Sequence, residues 1–386
     1  MTALDAFREV YEHRDAPARR WKAAGGKVAG YLCDNVPEEL IAAAGFLPYR
    51  LSGDPRQGHA ALERYVQPFA PPFSARNRGL GFTDAMLDML LAGSFDFLDY
   101  LIVPHTRKAI QAYYRELQLA KQLEPALQTP ELFYLDRAYT PFYAAEVFNR
   151  EQVLALHAQL ESWTMRTISG SDMADAVALF AENRRLLRQV LALRTADEPR
   201  LTGTQALHVI GAAQWMPREE HSRLLRQLLS ETLPRAARGA RLFLGGSPLD
   251  NSQLYELIES QGAVVVGEDH CWGARLAELD LDDSLEPVEA LADRYHRKPA
   301  CSIQFPMCAV TERCLDRARA ARADGAIFFV YEGDGVHVWD TPDELRAFEQ
   351  AGIPTLYLGR QAYGLGDPEP LRREIDRFLS EPARRK

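Results

Sequence analysis

Short apolar runs alternate with longer amphipathic stretches in two parts of the chain. The apolar runs of the first part are 27–32, 47–51, 98–103 and 132–135, and those of the second are 242–244, 263–266, 326–330 and 355–358. Runs of this length are typical of buried strands, and the stretches between them have the period of helices. Because strands that alternate with helices form parallel sheets, the pattern predicts two α/β domains.

The region between these two parts has an almost entirely helical pattern. Phe180, Leu187 and Val190, for example, share one face of a predicted helix. We therefore divide the chain into an N-terminal helix at 1–25, a first α/β domain at 26–138, a helical segment at 139–238 and a second α/β domain at 239–386. The predicted fold class is α/β, with two Rossmann- or flavodoxin-like parallel-sheet domains and an intervening helical segment.

The clearest βαβ unit spans residues 240–275. After its first strand, Gly245 and Gly246 permit a sharp turn because neither carries a Cβ. Ser247 is predicted to cap the helix that follows. Glu268 and His270 come directly after the second strand, at the edge of an open sheet where ligands bind. This edge is therefore the first place to look for a functional site.

Composition excludes several classes of protein. The 386 residues carry 45 basic and 54 acidic side chains, a formal charge of −9, which argues against a general nucleic-acid-binding protein. No apolar run is long enough for a membrane span, and the N-terminus does not resemble a signal peptide. Five cysteines without a C-x-x-C pair indicate a reducing, cytoplasmic compartment and no disulfide framework.

Five ordered segments together resemble the 2-hydroxyacyl-CoA dehydratase family, which includes the B- and C-type subunits of benzoyl-CoA reductase. They are GYLCDNVPEELIAAAGFLPYRL, FDFLDYLIVPHTRKAIQAYYREL, LGGSPLDNSQLYELIESQGAVVVGEDHCWGAR, and DGAIFFVYEGDG with the later AGIPTLYLGRQAYG. The resemblance covers about 28–380, and the order of the segments makes it specific. It implies a heterodimer of related α/β subunits, an acyl-CoA thioester substrate and radical chemistry. It also implies a [4Fe-4S] cluster and an ATP-dependent activator or other electron-donating subunit.

The chain departs from this family at the cysteines that hold the cluster. Family members place one cysteine in a C-x-x-x-R segment, one in a P-x-x-C-D turn and one after the D-G-(V)-I strand. Here the first segment is PPFSARNRG, the second has Arg107 at the cysteine position, and the third is the run from Tyr331 to Gly335. Clusters are held by thiolates, and arginine does not lose its proton to bind iron. We therefore expect no metal site in this chain and a cluster in a partner subunit.

His105, Thr106, Arg107 and Lys108 stand where a strand ends and a helix begins. Cations beside a helix N-terminus favour an anion, because the free N–H groups and the helix dipole add to their charge. These four residues are predicted to bind a CoA phosphate or a carboxylate of the substrate. A solvated helix face with surface ion pairs is the alternative that the sequence leaves open.

Two further groups of residues are candidates for contact with the thioester. The bare backbone of Gly245 and Gly246, with Ser247, could approach a phosphate or a thioester oxygen, or could form a plain turn. The Rossmann G-x-G-x-x-G spacing is absent, so no nicotinamide site is predicted. Glu39, Glu268 and His270 are candidate acid–base residues, predicted as catalytic. For Glu39 the alternative is a favourable contact with a helix dipole, and for the other two a polar loop.

The sequence thus predicts a subunit of a 2-hydroxyacyl-CoA dehydratase or benzoyl-CoA reductase type complex, acting by radical chemistry with the cluster in a homologous partner. A second hypothesis is a non-catalytic homologue that binds a CoA thioester or serves as a scaffold. A third keeps a cluster in this chain through unusual ligands such as Cys271 or His105. Neither nucleic acid nor membrane is expected as a partner.

Overall fold

The computed structural model describes residues 1–57, 60–65, 81–236, 239–298 and 306–380. Within these ranges the chain forms two separate four-stranded sheets with helices packed around them. All the strand pairs described in both sheets are parallel. The predicted α/β class with two parallel-sheet domains is therefore confirmed.

The first sheet contains β1 (Lys27–Tyr31), β2 (Phe46–Arg50), β3 (Tyr100–Pro104) and β4 (Glu131–Leu135). The second contains β5 (Arg241–Gly246), β6 (Val264–Glu268), β7 (Gly325–Tyr331) and β8 (Thr355–Gln361). The helices are α1 (Ala3–Glu12), α2 (Ala16–Ala23), α3 (Glu38–Ala43), α4 (Ala60–Tyr65), α5 (Gly81–Leu91), α6 (Lys108–Leu123), α7 (Tyr143–Thr164), α8 (Gly170–Thr195), α9 (Gly203–Ala212), α10 (Arg218–Ser230), α11 (Gln253–Ser260), α12 (Pro287–Arg297), α13 (Met307–Ala320), α14 (His337–Gln350) and α15 (Glu369–Ser380).

The two sheets have the same strand order. It is β2-β1-β3-β4 in the first and β6-β5-β7-β8 in the second. In each sheet the second strand lies on one side of the first strand, and the third and fourth strands lie on the other side. The carboxyl ends of β1 and β3 form the first switch point, and those of β5 and β7 form the second. Ligands of open α/β sheets bind at such points.

Burial differs between the middle and the last strand of each sheet. Every residue of β3 and β7 is buried, as expected for strands covered by helices on both faces. β4 and β8, which end the two sheets, are partly exposed. The continuous apolar runs that predicted β3 and β7 therefore mark the centre of each domain.

The N-terminal region forms two helices, α1 and α2, where the sequence predicted one helix over 1–25. α1 ends at Glu12 and α2 begins at Ala16, with Pro17 in its first turn. Proline lacks an N–H and disfavours a helical conformation in the residue before it, so it interrupts the helix here. The prediction of one helix was wrong for this reason, whereas the proposed domain limits stay predictions.

The segment between the sheets is built from α7 to α10. Phe180, Leu187 and Val190 of α8 are buried, which confirms the predicted apolar face. α8 is 26 residues long and packs against both domains through α3 and β6. Among the helices that the structure describes, none has the length and apolar character needed to cross a lipid bilayer.

Candidate functional site

The two switch points meet through one buried ion pair. Arg107, after β3, donates from Nη1 to Asp334 Oδ2 at 3.3 Å, and Asp334 follows β7. At the second switch point, Ser247 Oγ donates to the same Asp334 oxygen at 2.7 Å. At the first, Cys33 Sγ lies 3.3 Å from Thr106 Oγ1. The ends of β1, β3, β5 and β7 therefore converge between the domains.

Asp334 is held by donors on both of its oxygens. Oδ1 accepts the backbone N–H groups of Val336 and His337 at 3.3 and 3.2 Å, while Oδ2 accepts from Arg107 and Ser247. Burial acts to raise the pKa of Asp334, but the Arg107 guanidinium outweighs it and holds the pKa well below its ordinary value. Asp334 is thus a buried, ionised carboxylate.

Ser247 joins β5 to β7 and does not cap α11. Its Oγ accepts the Tyr331 N–H at 3.1 Å, and its own N–H donates to the Phe329 carbonyl at 2.8 Å. α11 instead begins at Gln253, with Ser252 at the N-cap position. The capping prediction was wrong because the turn after β5 is longer than the sequence signal suggested, and Asp334 supplies another partner for the hydroxyl.

Gly245 and Gly246 allow β5 to lie close to β7. A Cβ on Gly245 would come within 2.6 Å of the Phe328 ring, and one on Gly246 within 2.3 Å of the Phe329 carbonyl oxygen. Gly246 also has φ +99°, which favours glycine. Contact between strands accounts for both glycines, and their predicted contact with substrate stays a prediction.

A second polar contact joins the domains beside the ion pair. Arg50, at the end of β2, donates to the Cys271 carbonyl at 2.7 Å and to its Sγ at 3.0 Å. The guanidinium also lies 3.8 Å from the ring centroid of Trp272. Nearby, Lys298 Nζ donates to the Asp34 carbonyl at 2.6 Å, and burial lowers the pKa of Lys298. Two further buried cations, Arg50 and Lys298, therefore lie among the strand ends where the domains meet.

Glu39 lies in a buried ion pair with the helical segment. Arg184 of α8 donates to its Oε1 at 2.6 Å, and the Tyr295 hydroxyl donates to Oε2 at 3.0 Å. Burial would raise the pKa of Glu39, but Arg294 and Arg184 lower it to about 2. This site is separate from the Arg107–Asp334 pair, and a catalytic role for Glu39 stays a prediction.

Glu268 forms the corresponding pair in the second domain. Arg194 of α8 contacts both of its oxygens, one of them at 3.1 Å, and the Ala274 N–H donates to Oε1 at 2.8 Å. Although burial opposes it, Arg194 lowers the pKa of Glu268. Glu268 and Arg194 also line a cavity of about 650 Å³ beside β6. The carboxylate is therefore ionised, which is the form a general base needs.

His270 is neutral and buried. Its Nδ1 accepts the Trp272 N–H at 3.2 Å, so Nε2 carries the proton and donates to the Tyr255 hydroxyl at 2.8 Å. Burial lowers the pKa of His270 to about 4. These contacts fix the tautomer of the His270 ring. An acid–base role for His270 stays a prediction.

The four residues predicted as one anion site have different surroundings. Arg107 contacts Asp334, and Thr106 is buried beside Cys33. His105 Nδ1 lies 2.6 Å from Asp136 Oδ1, whereas Lys108 is exposed. Their joint binding of an anion stays a prediction, and it requires Arg107 to exchange Asp334 for the ligand.

The residues at the family's cluster positions do not fit an iron–sulfur cluster. Arg107 and Asp334 occupy two of the three cysteine segments and bond to each other, and the first segment lies outside the described residues. Of the described cysteines, Cys33 is half-buried, Cys271 and Cys314 are buried and Cys308 is exposed; Cys301 is outside the described residues. Among the residues that the structure describes, the one group of three acidic, histidine or cysteine donors close enough to share a metal is the exposed group Glu9, Glu12 and His13.

Asp334, Arg50, Asp34 and Lys298 were not predicted as site residues. The sequence did contain a signal for Asp334, because an acid stands in the third cysteine segment and a base, Arg107, in the second. The same segment also contains Glu332, so charge alone does not select Asp334 as the partner of Arg107. Arg50 and Lys298 carried no such signal, because their partners Cys271 and Asp34 lie 221 and 264 residues away in the chain.

The structure belongs to the class of α/β proteins with two parallel-sheet domains, and the two switch points, where ligands of such sheets bind, face each other. The chain belongs to the family described as 2-hydroxyglutaryl-CoA dehydratase, D-component, which matches residues 33–380. This confirms the resemblance seen in the sequence.

Curated relatives match nearly the whole chain at low identity. The chain is 22% identical to the (R)-phenyllactyl-CoA dehydratase beta subunit of Clostridium sporogenes, over 90% of each chain. It is 23% identical to the beta subunit of lactoyl-CoA dehydratase from Anaerotignum propionicum, over 92% of each. It is 24% identical to a subunit of the benzoyl-CoA reductase of Thauera aromatica, over 83% of this chain and 82% of the relative. These relatives are subunits of dehydratases and of a reductase.

Proposed function

We propose that this chain is a subunit of a 2-hydroxyacyl-CoA dehydratase or benzoyl-CoA reductase type complex that acts on an acyl-CoA thioester by radical chemistry. A homologous partner subunit holds the [4Fe-4S] cluster, and an ATP-dependent activator or electron-donating subunit supplies the electron. The observation that carries the proposal is the match over residues 33–380 to a family whose relatives are subunits of such enzymes. The ion pair at two cluster positions supports the division of labour between subunits.

In this proposal the chain contributes one wall of the acyl-CoA cleft. Arg50, Arg107 and Lys298 bring three buried cations to the cleft, each matched to a protein acceptor. A CoA phosphate or a carboxylate that replaces one of these acceptors would be bound by a desolvated cation, where charge–charge contacts are strong. The buried walls exclude water from the reacting centre.

Exposed aromatic side chains support a partner subunit on the side of β4. Phe142 and Tyr143 at the start of α7 are 61% and 79% exposed, and Val147 and Phe148 are also exposed. A cluster of exposed large apolar groups is typical of a surface that contacts another protein. α7 begins just beyond the carboxyl end of β4, the strand next to β3, so a partner here would lie close to the first switch point.

The alternative is a non-catalytic homologue that binds a CoA thioester or serves as a scaffold, without redox chemistry. One observation favours it: Arg107 and Asp334 bond to each other where relatives need thiolates. The absence of the cluster's cysteine ligands from this chain is compatible with both the catalytic and the non-catalytic hypothesis. What separates them is the presence of a cluster-bearing partner.

The test is anaerobic purification of the tagged chain from its native cell, with protein identification and iron and sulfide analysis of the same sample. A related subunit with cysteine ligands and stoichiometric iron supports the proposal, and turnover of an acyl-CoA thioester completes it. A colourless chain that purifies without a related subunit contradicts it and favours the alternative.

A pair of surface variants makes this test specific. Phe142→Ser with Tyr143→Ser should reduce co-purification of the partner at least about tenfold, because an aromatic anchor in an interface contributes about 2 kcal/mol or more. Met165→Ser is the matched control, since Met165 is 89% exposed at the far end of α7. Equal loss of the partner in both variants would contradict a contact through the start of α7.

A further inference from the structure

We infer that Arg107, Asp334 and Ser247 form an ion-pair clasp that stands in place of the iron–sulfur cluster in this chain and ties its two α/β domains together. The inference rests on the proposed function in one respect, the use of the family's cluster positions as reference. It adds a role for the residues found there, which neither the family match nor the relatives supply.

The hydrogen bonds of Asp334 leave it unable to serve as a metal ligand. Its two oxygens receive four protein donors: the N–H groups of Val336 and His337 on Oδ1, and Ser247 and Arg107 on Oδ2. A carboxylate that already receives four hydrogen bonds has no lone pair left for a metal ion. Arginine stays protonated and repels a cation. Iron would have to displace the entire arrangement.

The ion pair also joins the same strand ends that a cluster would join. Arg107 follows β3 of the first sheet and Asp334 follows β7 of the second, 227 residues later in the chain. A cluster ligated from the same two positions would connect the domains covalently through iron, whereas the ion pair connects them by charge. The cross-domain link is thus kept although the ligands are absent.

Burial makes each domain depend on the residue that the other contributes. The side chain of Asp334 is 0% exposed and that of Arg107 is 5% exposed. If one member of a buried pair is removed, the other is left as an uncompensated charge in a medium of low polarity, which is strongly destabilising. Exposed ion pairs have no such effect.

A double-mutant cycle on the full chain tests the clasp. Asp334→Asn keeps the shape of the side chain but turns a donor towards Arg107, and Arg107→Met removes the charge while keeping an extended side chain. Each single variant should lower Tm by about 5 °C or more. The double variant should lose less than the sum of the two, because no charge is left unpaired. The matched control is Asp343→Asn, which removes an exposed pair with Arg346 on α14 and should leave Tm unchanged.

Hydrogen exchange shows whether the link crosses the domains. In Asp334→Asn, exchange should rise both at the loop around Val336 and at the start of α6, whereas a purely local role would change only the loop. Additive single effects, or exchange changes confined to the loop, would overturn the clasp.

Reconstitution with ferrous iron and sulfide under anaerobic conditions tests the other half of the inference. After gel filtration, the wild-type chain should retain less iron and sulfide than one cluster contains. A full cluster's content of iron and sulfide in this chain would overturn the inference. These outcomes are independent of the proposed function, because a partner can co-purify whether or not the clasp exists, and the cycle needs no partner.

Discussion

The two α/β domains have the same strand order but opposite chemistry at their switch points. The first presents a cation, Arg107, beside the N-terminus of α6. The second presents a carboxylate, Asp334, held by Ser247 and by the N–H groups of Val336 and His337 at the start of α14. Two identical topologies would by themselves give two similar edges. The difference in charge makes the edges complementary, so the domains bind each other where each would otherwise bind a ligand.

A similar contrast exists on α8, which contributes one buried arginine to each domain. Arg194 contacts Glu268 through both of its oxygens, while Arg184 contacts Glu39 through one and also lies 3.8 Å from Asp280. Removal of Glu268 leaves Arg194 without its carboxylate partner. Removal of Glu39 leaves Arg184 with Asp280 nearby, and Arg294, which lies 3.8 Å from Glu39, keeps its hydrogen bonds to the carbonyls of Glu278 and Leu279. The second domain should therefore depend more on its ion pair.

The largest expected effect follows from this difference. Glu268→Gln should lower the free energy of unfolding by about 3–5 kcal/mol, because it leaves a buried guanidinium uncompensated. Glu39→Gln should cost less, about 2 kcal/mol. Urea unfolding of both variants measures the difference. Equal losses would contradict the asymmetry between the two pairs.

The pH dependence of stability should also differ between the domains. The pKa of His270 is lowered from 6.5 to about 4, so its contribution is complete above pH 6.5 and is lost as the pH falls towards 4. The shift corresponds to about 3 kcal/mol. The pKa of Glu39 is lowered from 4.5 to about 2, so its contribution is present above pH 4.5 and is lost as the pH falls towards 2.

Unfolding at a series of pH values measures both effects. His270→Gln should make the stability curve shallower between pH 6.5 and 4 and leave its slope unchanged below that window. The remaining slope in this range comes from other buried histidines, such as His337, whose pKa burial lowers to about 4. A variant with the same slope as the wild type would show that His270 is not held neutral in the folded chain.

An intermediate effect is expected at the second cross-domain contact. Arg50→Lys keeps the charge but cannot reach both the carbonyl and the Sγ of Cys271, so it should lower the free energy of unfolding by about 2 kcal/mol. Denaturant titration measures it, with Arg346→Lys as the exposed control. A loss no greater than that of the control would mean that Arg50 is not part of the link between the domains.

The smallest effect is expected at Lys108, the exposed neighbour of Arg107. Lys108→Ala should change the free energy of unfolding by less than about 0.5 kcal/mol. It should also weaken acyl-CoA binding far less than Arg107→Ala, if a substrate anion exchanges with Asp334 as proposed. Calorimetric titration of the full complex compares the two. A greater loss of affinity in Lys108→Ala would place the anion on the solvent side of α6.

The sequence predicted the fold well because the apolar runs of β3 and β7 are continuous and end at clear signals. It also singled out Arg107 and Ser247, which the structure brings together at Asp334. It did not predict their partner, because pairing across 227 residues depends on how the domains pack. For the same reason, the pairing of Glu39 and Glu268 with arginines of α8 could not be predicted from the sequence.

The two wrong predictions of local structure have different causes. Ser247 carries the chemistry of a helix cap, but its hydroxyl finds a carboxylate in the other half of its own sheet. The helix predicted over 1–25 contains Pro17, which belongs to the first turn of a second helix. The first error comes from a partner 87 residues away in the chain, and the second from a proline inside the predicted helix.

The length of α8 has a mechanical consequence. Arg184 and Arg194 stand ten residues apart on one rigid rod, which places them about 15 Å apart along its axis and about 80° apart around it. Because α8 is rigid, it sets the distance between the two sheets and their relative rotation. Inserting a single residue between these arginines would turn one of them by about 100°. The two arginines could then no longer both face their glutamate partners, one in each domain.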